Sequence, residues 1–249
     1  MKSKFVVGAV AALALGWSST AFAAQPDSGQ TPDTGTPQSD AAAAMTSLPV
    51  GPVHMSVAGT DMVAAAPDGY CDPIGKLSAM TVAMSAWAQR SRIELGAVWV
   101  KCDFHVGQLT SIRLAVVGAK ADGPRITASR RVMARSVAAA LPTAAGQAVV
   151  AQSLASGNAA TGDQKVATRL AGQPQVAGLD NDAVYILIDA DETSQTSQLP
   201  FTVVEALTVV KGRLAIVAFA ALKAQPEDKA ELLANAKHEV KRFIAMNGG

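Results

Sequence analysis

The sequence is poor in the residues that build metal centres and redox sites. Its 249 residues include 2 cysteines and 3 histidines, and aromatic residues make up 4% of the chain. A structural zinc site takes four Cys or His ligands, and a redox pair normally has the close C-x-x-C spacing, which is absent here. His54, His105 and His238 do not have the spacing of a metal-binding motif. The composition therefore predicts neither a metal site nor a cofactor.

The motifs of the common catalytic classes are missing as well. The sequence contains no G-x-S-x-G nucleophile elbow, no S-x-x-K of the penicillin-recognising kind, no P-loop and no G-x-G-x-x-G dinucleotide fingerprint. Each of these motifs positions a nucleophile or a phosphate in a way that is hard to achieve otherwise. Their absence favours a protein that is not an enzyme.

The charge is nearly balanced, with a formal net charge of +1 at pH 7. A chain without a net field has little electrostatic attraction for nucleic acid, so no nucleic-acid partner is expected.

The N-terminus has the pattern of a cleaved export signal. Lys2 and Lys4 precede an apolar run from Phe5 to Trp17, and residues 21–23 (Ala-Phe-Ala) supply the small-x-small pattern of a cleavage site. The run is shorter than the roughly 20 residues that a membrane-spanning helix needs. We therefore expect cleavage between Ala23 and Ala24, no transmembrane segment afterwards, and a bacterial protein that is periplasmic or secreted. The loss of Lys2 and Lys4 changes the formal charge of the chain from +1 to −1.

Residues 24–47 are predicted to be a disordered spacer. They are rich in Pro, Gly, Ser and Thr and have almost no large apolar side chain to bury. A single domain is predicted over residues 48–249.

Cys71 and Cys102 are predicted to form a structural disulfide. In an exported chain with two cysteines, pairing of the two is the common outcome. Cys71 as a reactive thiol and Cys71 as a metal ligand remain the alternatives. The surrounding residues favour the disulfide, because Pro67-Asp68-Gly69 is a turn signature and Asp72-Pro73 is a helix start.

The pattern of apolar residues predicts an α+β fold. An edge hairpin is expected near residues 53–64, and strands are expected in IELGAVWVKCDFHV, TSIRLAVVGAK and AVYILIDADE and over 203–210 and 214–222. Helices are expected from Asp72 to near Ser91, over 124–141, over 144–155 and from Pro226 to Met246, while 160–178 is expected to be a mostly polar connection that could include one short helix. Strands joined by short turns imply a mainly antiparallel sheet covered by helices.

Three groups of polar residues are candidates for function. Four arginines fall in the predicted helix 124–141, and two of them one turn apart, Arg131 and Arg135, form a basic stripe that could face an anionic partner. An acidic run could hold a cation, although it lacks the glycine spacing of a calcium loop. Asp103, His105 and Ser111 could assemble a hydrolase site without a motif. The acidic run consists of Asp180, Asp182, Asp189, Asp191 and Glu192.

Two stretches resemble known proteins. The run APDGYC (66–71), followed by a helix and a strand with the second cysteine, resembles uncharacterised exported proteins of proteobacteria. The hairpin TVVKGRLAIVAFAAL (208–222), followed by a helix ending in RFIAMN (242–247), is similar to the end of PsbP/Mog1-type α/β sandwiches. The resemblance covers roughly residues 65–105 and 182–247. It implies a sandwich fold and carries over no catalytic residue.

Together these patterns predict an exported, non-enzymatic α+β domain. Its role would be to bind a protein or an envelope component, and a periplasmic hydrolase is the alternative.

Overall fold

Long apolar strands in the last third of the chain form the centre of the fold. Such strands pack on both faces and need cover on both. The computed structural model describes residues 51–73, 84–85, 88–89, 93–103, 113–121, 124–160, 167–193, 198–222 and 224–249. The strands are β1 (Val53–Val57), β2 (Thr60–Ala64), β3 (Tyr70–Cys71), β4 (Ile93–Lys101), β5 (Arg113–Lys120), β6 (Ala167–Leu170), β7 (Gln175–Leu179), β8 (Ala183–Thr193), β9 (Gln198–Val210) and β10 (Arg213–Leu222). The helices are α1 (Arg130–Ala140), α2 (Ala144–Ala160) and α3 (Pro226–Met246).

Eight strands form one antiparallel sheet in the order β3-β4-β5-β10-β9-β8-β6, with β7 also paired to β8. β10 lies near the centre, between β5 and β9. The α+β class and the mainly antiparallel sheet are therefore confirmed, and β10 is covered on both faces, as its sequence predicts.

The two faces of the sheet carry separate cores. On one face, Met133 and Val137 of α1, Leu141 and Val150 pack onto alternate residues of β8, β9 and β10. On the other face, Leu232 and Phe243 of α3 and the β1–β2 hairpin pack onto the remaining residues. The molecule therefore has three layers, with the sheet in the middle.

The β1–β2 hairpin is a separate two-stranded sheet, held to the end of α3 by side chains. The Asn247 amide donates to the Val63 carbonyl (2.8 Å), and its oxygen accepts the Val63 N–H (2.9 Å). Arg242 donates to the carbonyls of Ala65 and Ala66, each at 2.6 Å. The predicted hairpin near residues 53–64 is confirmed, and it caps one face of the sheet instead of extending its edge.

The disulfide joins β3 to the end of β4. Cys71 and Cys102 are bonded through their Sγ atoms, with 5.2 Å between their Cα atoms, which lies in the usual range for a disulfide. The Pro67-Asp68-Gly69 turn precedes β3, and the Tyr70 N–H donates to the Pro67 carbonyl (3.0 Å). Pro67 therefore stands before the two corner residues of the turn. Gly69 occupies the second corner with a φ of +77°, which glycine adopts without steric cost.

Two predicted segments are wrong in part. The helix predicted over 124–141 begins at Arg130, because the Ile126 N–H donates to the Gly212 carbonyl (2.8 Å) and Ser129 caps the helix. The helix predicted over 144–155 extends to Ala160 as α2. The connection predicted over 160–178 contains the strand β6 and most of β7, and both strands pair with β8. Of the helix predicted from Asp72 to near Ser91, residues 72–73, 84–85 and 88–89 are described; residues 84–85 and 88–89 are helical, and residues 72–73 are not. The signal and spacer predictions lie outside the described residues.

Candidate cationic binding cavity

A cavity of about 400 Å³ opens where the start of α1 meets the turn between β9 and β10. The segment before α1 forms one wall, the β9–β10 turn forms the second, and the turn between β7 and β8 contributes Asn181. The residues that line it are Ile126, Ala128, Ser129, Arg130, Arg131, Asn181, Val209, Lys211 and Gly212.

The β9–β10 turn is a two-residue hairpin turn made by Lys211 and Gly212. Val210 pairs with Arg213, and both turn residues have positive φ, +48° and +77°. This is the turn that matches the twist of antiparallel strands. A Cβ atom added to Gly212 would lie 2.9 Å from Cγ and Nε of Arg125, so the absence of a side chain lets Arg125 pack directly against the turn.

Two of the cationic side chains are held in place by backbone carbonyls. The Arg130 Nε–H donates to the Val209 carbonyl (3.0 Å), and the Lys211 ammonium donates to the Asp61 carbonyl in the β1–β2 hairpin (2.6 Å). After these hydrogen bonds, the Arg130 guanidinium keeps four N–H donors and the Lys211 ammonium keeps two. Arg130 is therefore preoriented at the cavity wall, whereas the Lys211 ammonium is bound to the β1–β2 hairpin on the other face of the sheet.

The charged residues that line the cavity are all cationic. Arg130, Arg131 and Lys211 line it, Arg125 lies beside it, and the lining includes no acidic residue. Arg125 and Arg131 make no hydrogen bond or ion pair with the part of the chain that the structure describes. The first turn of α1 also has no acidic residue, so the partial positive charge of the helix start adds to the field. Such an arrangement attracts an anion.

The structure separates the two arginines of the predicted basic stripe. Arg131 lines the cavity, while Arg135 is exposed one turn further along α1 and does not contribute to the lining. Sequence reasoning missed Lys211, because it reaches the site through a turn that lies far along the chain, and Ser129, because the predicted helix over 124–141 included it. The single available signal was the Lys-Gly pair in the hairpin turn.

The acidic run does not come together as a cation site. The Asp180 carboxylate accepts the backbone N–H groups of Asp182 and Ala183 (both 2.9 Å) and the Tyr185 hydroxyl (2.9 Å). Asp189 accepts from the Lys229 ammonium (2.7 Å) and from the Thr202 hydroxyl (2.6 Å). Among the described residues, no group of three or more His, Cys, Asp or Glu side chains could hold a metal ion.

The proposed hydrolase residues are described only in part. Asp103 is exposed at the end of β4, next to the disulfide. His105 and Ser111 lie outside the described residues, so the hydrolase hypothesis stays a prediction.

Two buried carboxyl groups have unusual surroundings that the sequence reasoning did not single out. Glu239 of α3 is 1% exposed, and burial raises its pKa to about 7 although its ion pair with Arg242 (3.0 Å) lowers it. Glu205 of β9 is fully buried, and neither of its carboxyl oxygens has a hydrogen-bond partner within the described structure. Burial alone raises the pKa of Glu205 well above its usual value and so favours the uncharged acid. A lone Glu in an apolar strand was the signal that could have identified it.

No protein-family model and no curated protein matches this chain. A search of solved structures finds a similarity to the Ran-binding protein Mog1p of Saccharomyces cerevisiae, with 8% sequence identity and a TM-score of 0.26. The similarity covers 80% of this chain and 94% of Mog1p. The resemblance seen in the closing hairpin and helix concerns the same kind of protein, and a TM-score this low transfers nothing from Mog1p to this chain. None of the helices in the described part of the chain is long and apolar enough to cross a membrane.

Proposed function

We propose that this chain is an exported, non-enzymatic binding domain that recognises an anionic group on a protein or on an envelope component. The contact site is the cationic cavity at the start of α1. The observation that carries the proposal is the concentration of Arg125, Arg130, Arg131 and Lys211 around one cavity whose lining has no acidic residue.

The physical reason is that clustered like charges repel one another in the free protein. A partner anion removes this repulsion and gains charge-assisted hydrogen bonds from groups that are already oriented. The rest of the chain has nearly balanced charge, so the field is local to the cavity and not a property of the whole surface. A local field suits recognition of a particular group.

Substitution of the two arginines without described partners tests the proposal. We expect the R125A/R131A variant to bind an isolated bacterial envelope fraction about tenfold more weakly than the native chain, since two charge pairs of up to about 1 kcal/mol each are lost. Retention on the immobilised fraction, measured over a range of salt concentrations, gives the comparison. The native chain should elute at a higher salt concentration than the variant.

The matched control removes two exposed arginines elsewhere. Arg135→Ala with Arg169→Ala takes away the same charge from α1 and β6, outside the cavity lining. The control should be retained like the native chain. If both double variants lose retention equally, binding depends on total charge and the proposed site is wrong.

Export is the second part of the proposal. The charged and apolar pattern of residues 2–23 supports it, and the disulfide is compatible with an oxidising compartment. We expect the full-length chain, produced in a bacterium, to be found in the periplasmic or secreted fraction with Ala24 as its first residue. N-terminal sequencing of the fractionated protein checks this. An intact N-terminus in the cytoplasmic fraction would rule export out.

A further inference from the structure

We infer that the group bound in the cationic cavity is a phosphoryl group, carried by a small ester or by a lipid headgroup. This inference rests on the anion site of the proposed function; a lipid headgroup is an envelope component of the kind proposed, and a soluble ester would extend the proposed function to a small molecule. It is carried by the number of charges, the number of free donors and the size of the cavity.

The number of charges exceeds what a carboxylate would balance. One guanidinium already neutralises a carboxylate, whereas three cations line this cavity and Arg125 lies beside them. A phosphate monoester carries a charge of about −1.5 to −2 at pH 7 and presents three strong acceptor oxygens. A group with at least that much charge is needed to relieve the repulsion among four cations.

The donors in the cavity match an acceptor with several oxygens. Arg130 keeps four N–H donors after its bond to the Val209 carbonyl. Arg131 brings a further guanidinium, and the planar guanidinium fork binds two oxygens of one phosphoryl group at once. Ser129 accepts the Val132 N–H with its hydroxyl oxygen, so its O–H hydrogen is also available to an acceptor.

The cavity is large enough for more than the anion. A volume of about 400 Å³ lies in the range of small-molecule sites, and Ile126 and Val209 supply apolar wall. The space accommodates a phosphoryl group together with part of the molecule that bears it. Both a soluble phosphate ester and a phosphorylated lipid headgroup meet this description.

Calorimetric titration of the full-length mature chain tests the inference. The probes are inorganic phosphate, glycerol 3-phosphate, acetate and succinate, all at low ionic strength. We expect the two phosphates to bind at least about tenfold more tightly than the two carboxylates, and R125A/R131A to weaken phosphate binding about tenfold. The R135A/R169A control should bind phosphate like the native chain.

A vesicle assay distinguishes the two sources. A lipid headgroup is identified if the chain binds phosphatidylcholine vesicles that contain phosphatidic acid and glycerol 3-phosphate competes for this binding. Vesicles of phosphatidylcholine alone should then show no binding. Binding of glycerol 3-phosphate without binding to either vesicle identifies a soluble ester. Both results support the inference.

The outcomes that overturn the inference differ from those that overturn the proposed function. If succinate binds as tightly as phosphate, or if R125A/R131A binds phosphate normally, the phosphoryl assignment is wrong. If the envelope retention still depends on Arg125 and Arg131 in that case, the anion-binding function stands with another ligand. If neither phosphate binding nor envelope retention depends on Arg125 and Arg131, the phosphoryl assignment and the proposed function are both wrong.

Discussion

Removal of the disulfide between Cys71 and Cys102 is expected to lower the free energy of unfolding by about 3–4 kcal/mol, the largest effect of any change considered for this chain. The bond closes a loop with a sequence separation of 31 residues, and without it the unfolded chain gains the conformational freedom of that loop. In the folded state the bond joins the two-residue strand β3 to the end of β4, where two residue pairs alone connect the strands. The Cys71→Ala, Cys102→Ala variant should show the loss in urea unfolding at equilibrium.

Reduction of the native chain provides the matched comparison. The reduced native protein and the double variant should unfold at the same urea concentration, because both lack the same cross-link. The oxidised native protein should unfold at a clearly higher concentration. A difference below about 1 kcal/mol would mean that the loop is already restricted in the unfolded state, contrary to the expectation.

Replacement of Glu205 by leucine is expected to raise the free energy of unfolding by about 2–3 kcal/mol at pH 8. Glu205 pairs with Ile186 of β8 and Ala218 of β10 in the middle of the sheet, on the face covered by α1. Both of its carboxyl oxygens lack a partner in the described structure. Leucine of similar size removes two unpaired buried polar atoms and adds apolar contacts.

The effect of Glu205 depends on pH with a definite sign. Burial raises its pKa in the folded state far above the ordinary value of 4.5, which holds in the unfolded chain. Between these two pKa values the folded chain binds one more proton than the unfolded chain. The free energy of unfolding therefore decreases as pH rises above 4.5, by up to about 1.4 kcal/mol for each pH unit. The stabilisation by leucine should accordingly be larger at pH 8 than at pH 5.

Two further variants keep the Glu205 prediction testable. Glu205→Gln should remove the contribution of this site to the pH dependence while keeping the unpaired polar atoms. Glu94→Leu, which changes an exposed glutamate of β4, serves as the control and should have little effect. The expectation is contradicted if E205L and E94L change the stability profile alike between pH 5 and pH 8.

The elements with a strong local signal could be predicted from the sequence. Helix α3 has the predicted bounds, Pro226–Met246, because its first turn is acidic, basic residues follow in its second half and its apolar stripe is regular. The β9–β10 hairpin is equally local, since Gly212 fixes the turn between two apolar strands. In both cases the information lies within about twenty neighbouring residues.

The elements that depend on distant partners could not be predicted in the same way. Residues 124–129 have helical composition, yet the bond from Ile126 to Gly212 ties them to a turn in the last third of the chain. β7 consists largely of exposed residues, and it is a strand because β8 offers it an edge. Neither pairing leaves a periodic pattern in the sequence.

The residues of the candidate site also divide into those that the sequence predicts and those that depend on contacts with distant parts of the chain. The arginines of the site were visible as a basic stripe, but Arg131 belongs to the cavity and Arg135 does not. The difference is decided by which side of α1 faces the β9–β10 turn. The buried Glu205 and Glu239 were overlooked because a charged residue in an amphipathic pattern is normally assigned to the solvent side.

The position of β10 also determines when the fold can form. β5 and β10 are neighbours in the sheet, and Ala119 pairs with Ala215, almost a hundred residues later in the chain. Contacts of such high sequence separation form slowly, because a long loop must be closed before they contribute. During synthesis β4 and β5 therefore have no inner neighbour until nearly the whole polypeptide has been made. A chain with this strand order cannot complete its sheet until β10, the strand that joins its two halves, has been synthesised.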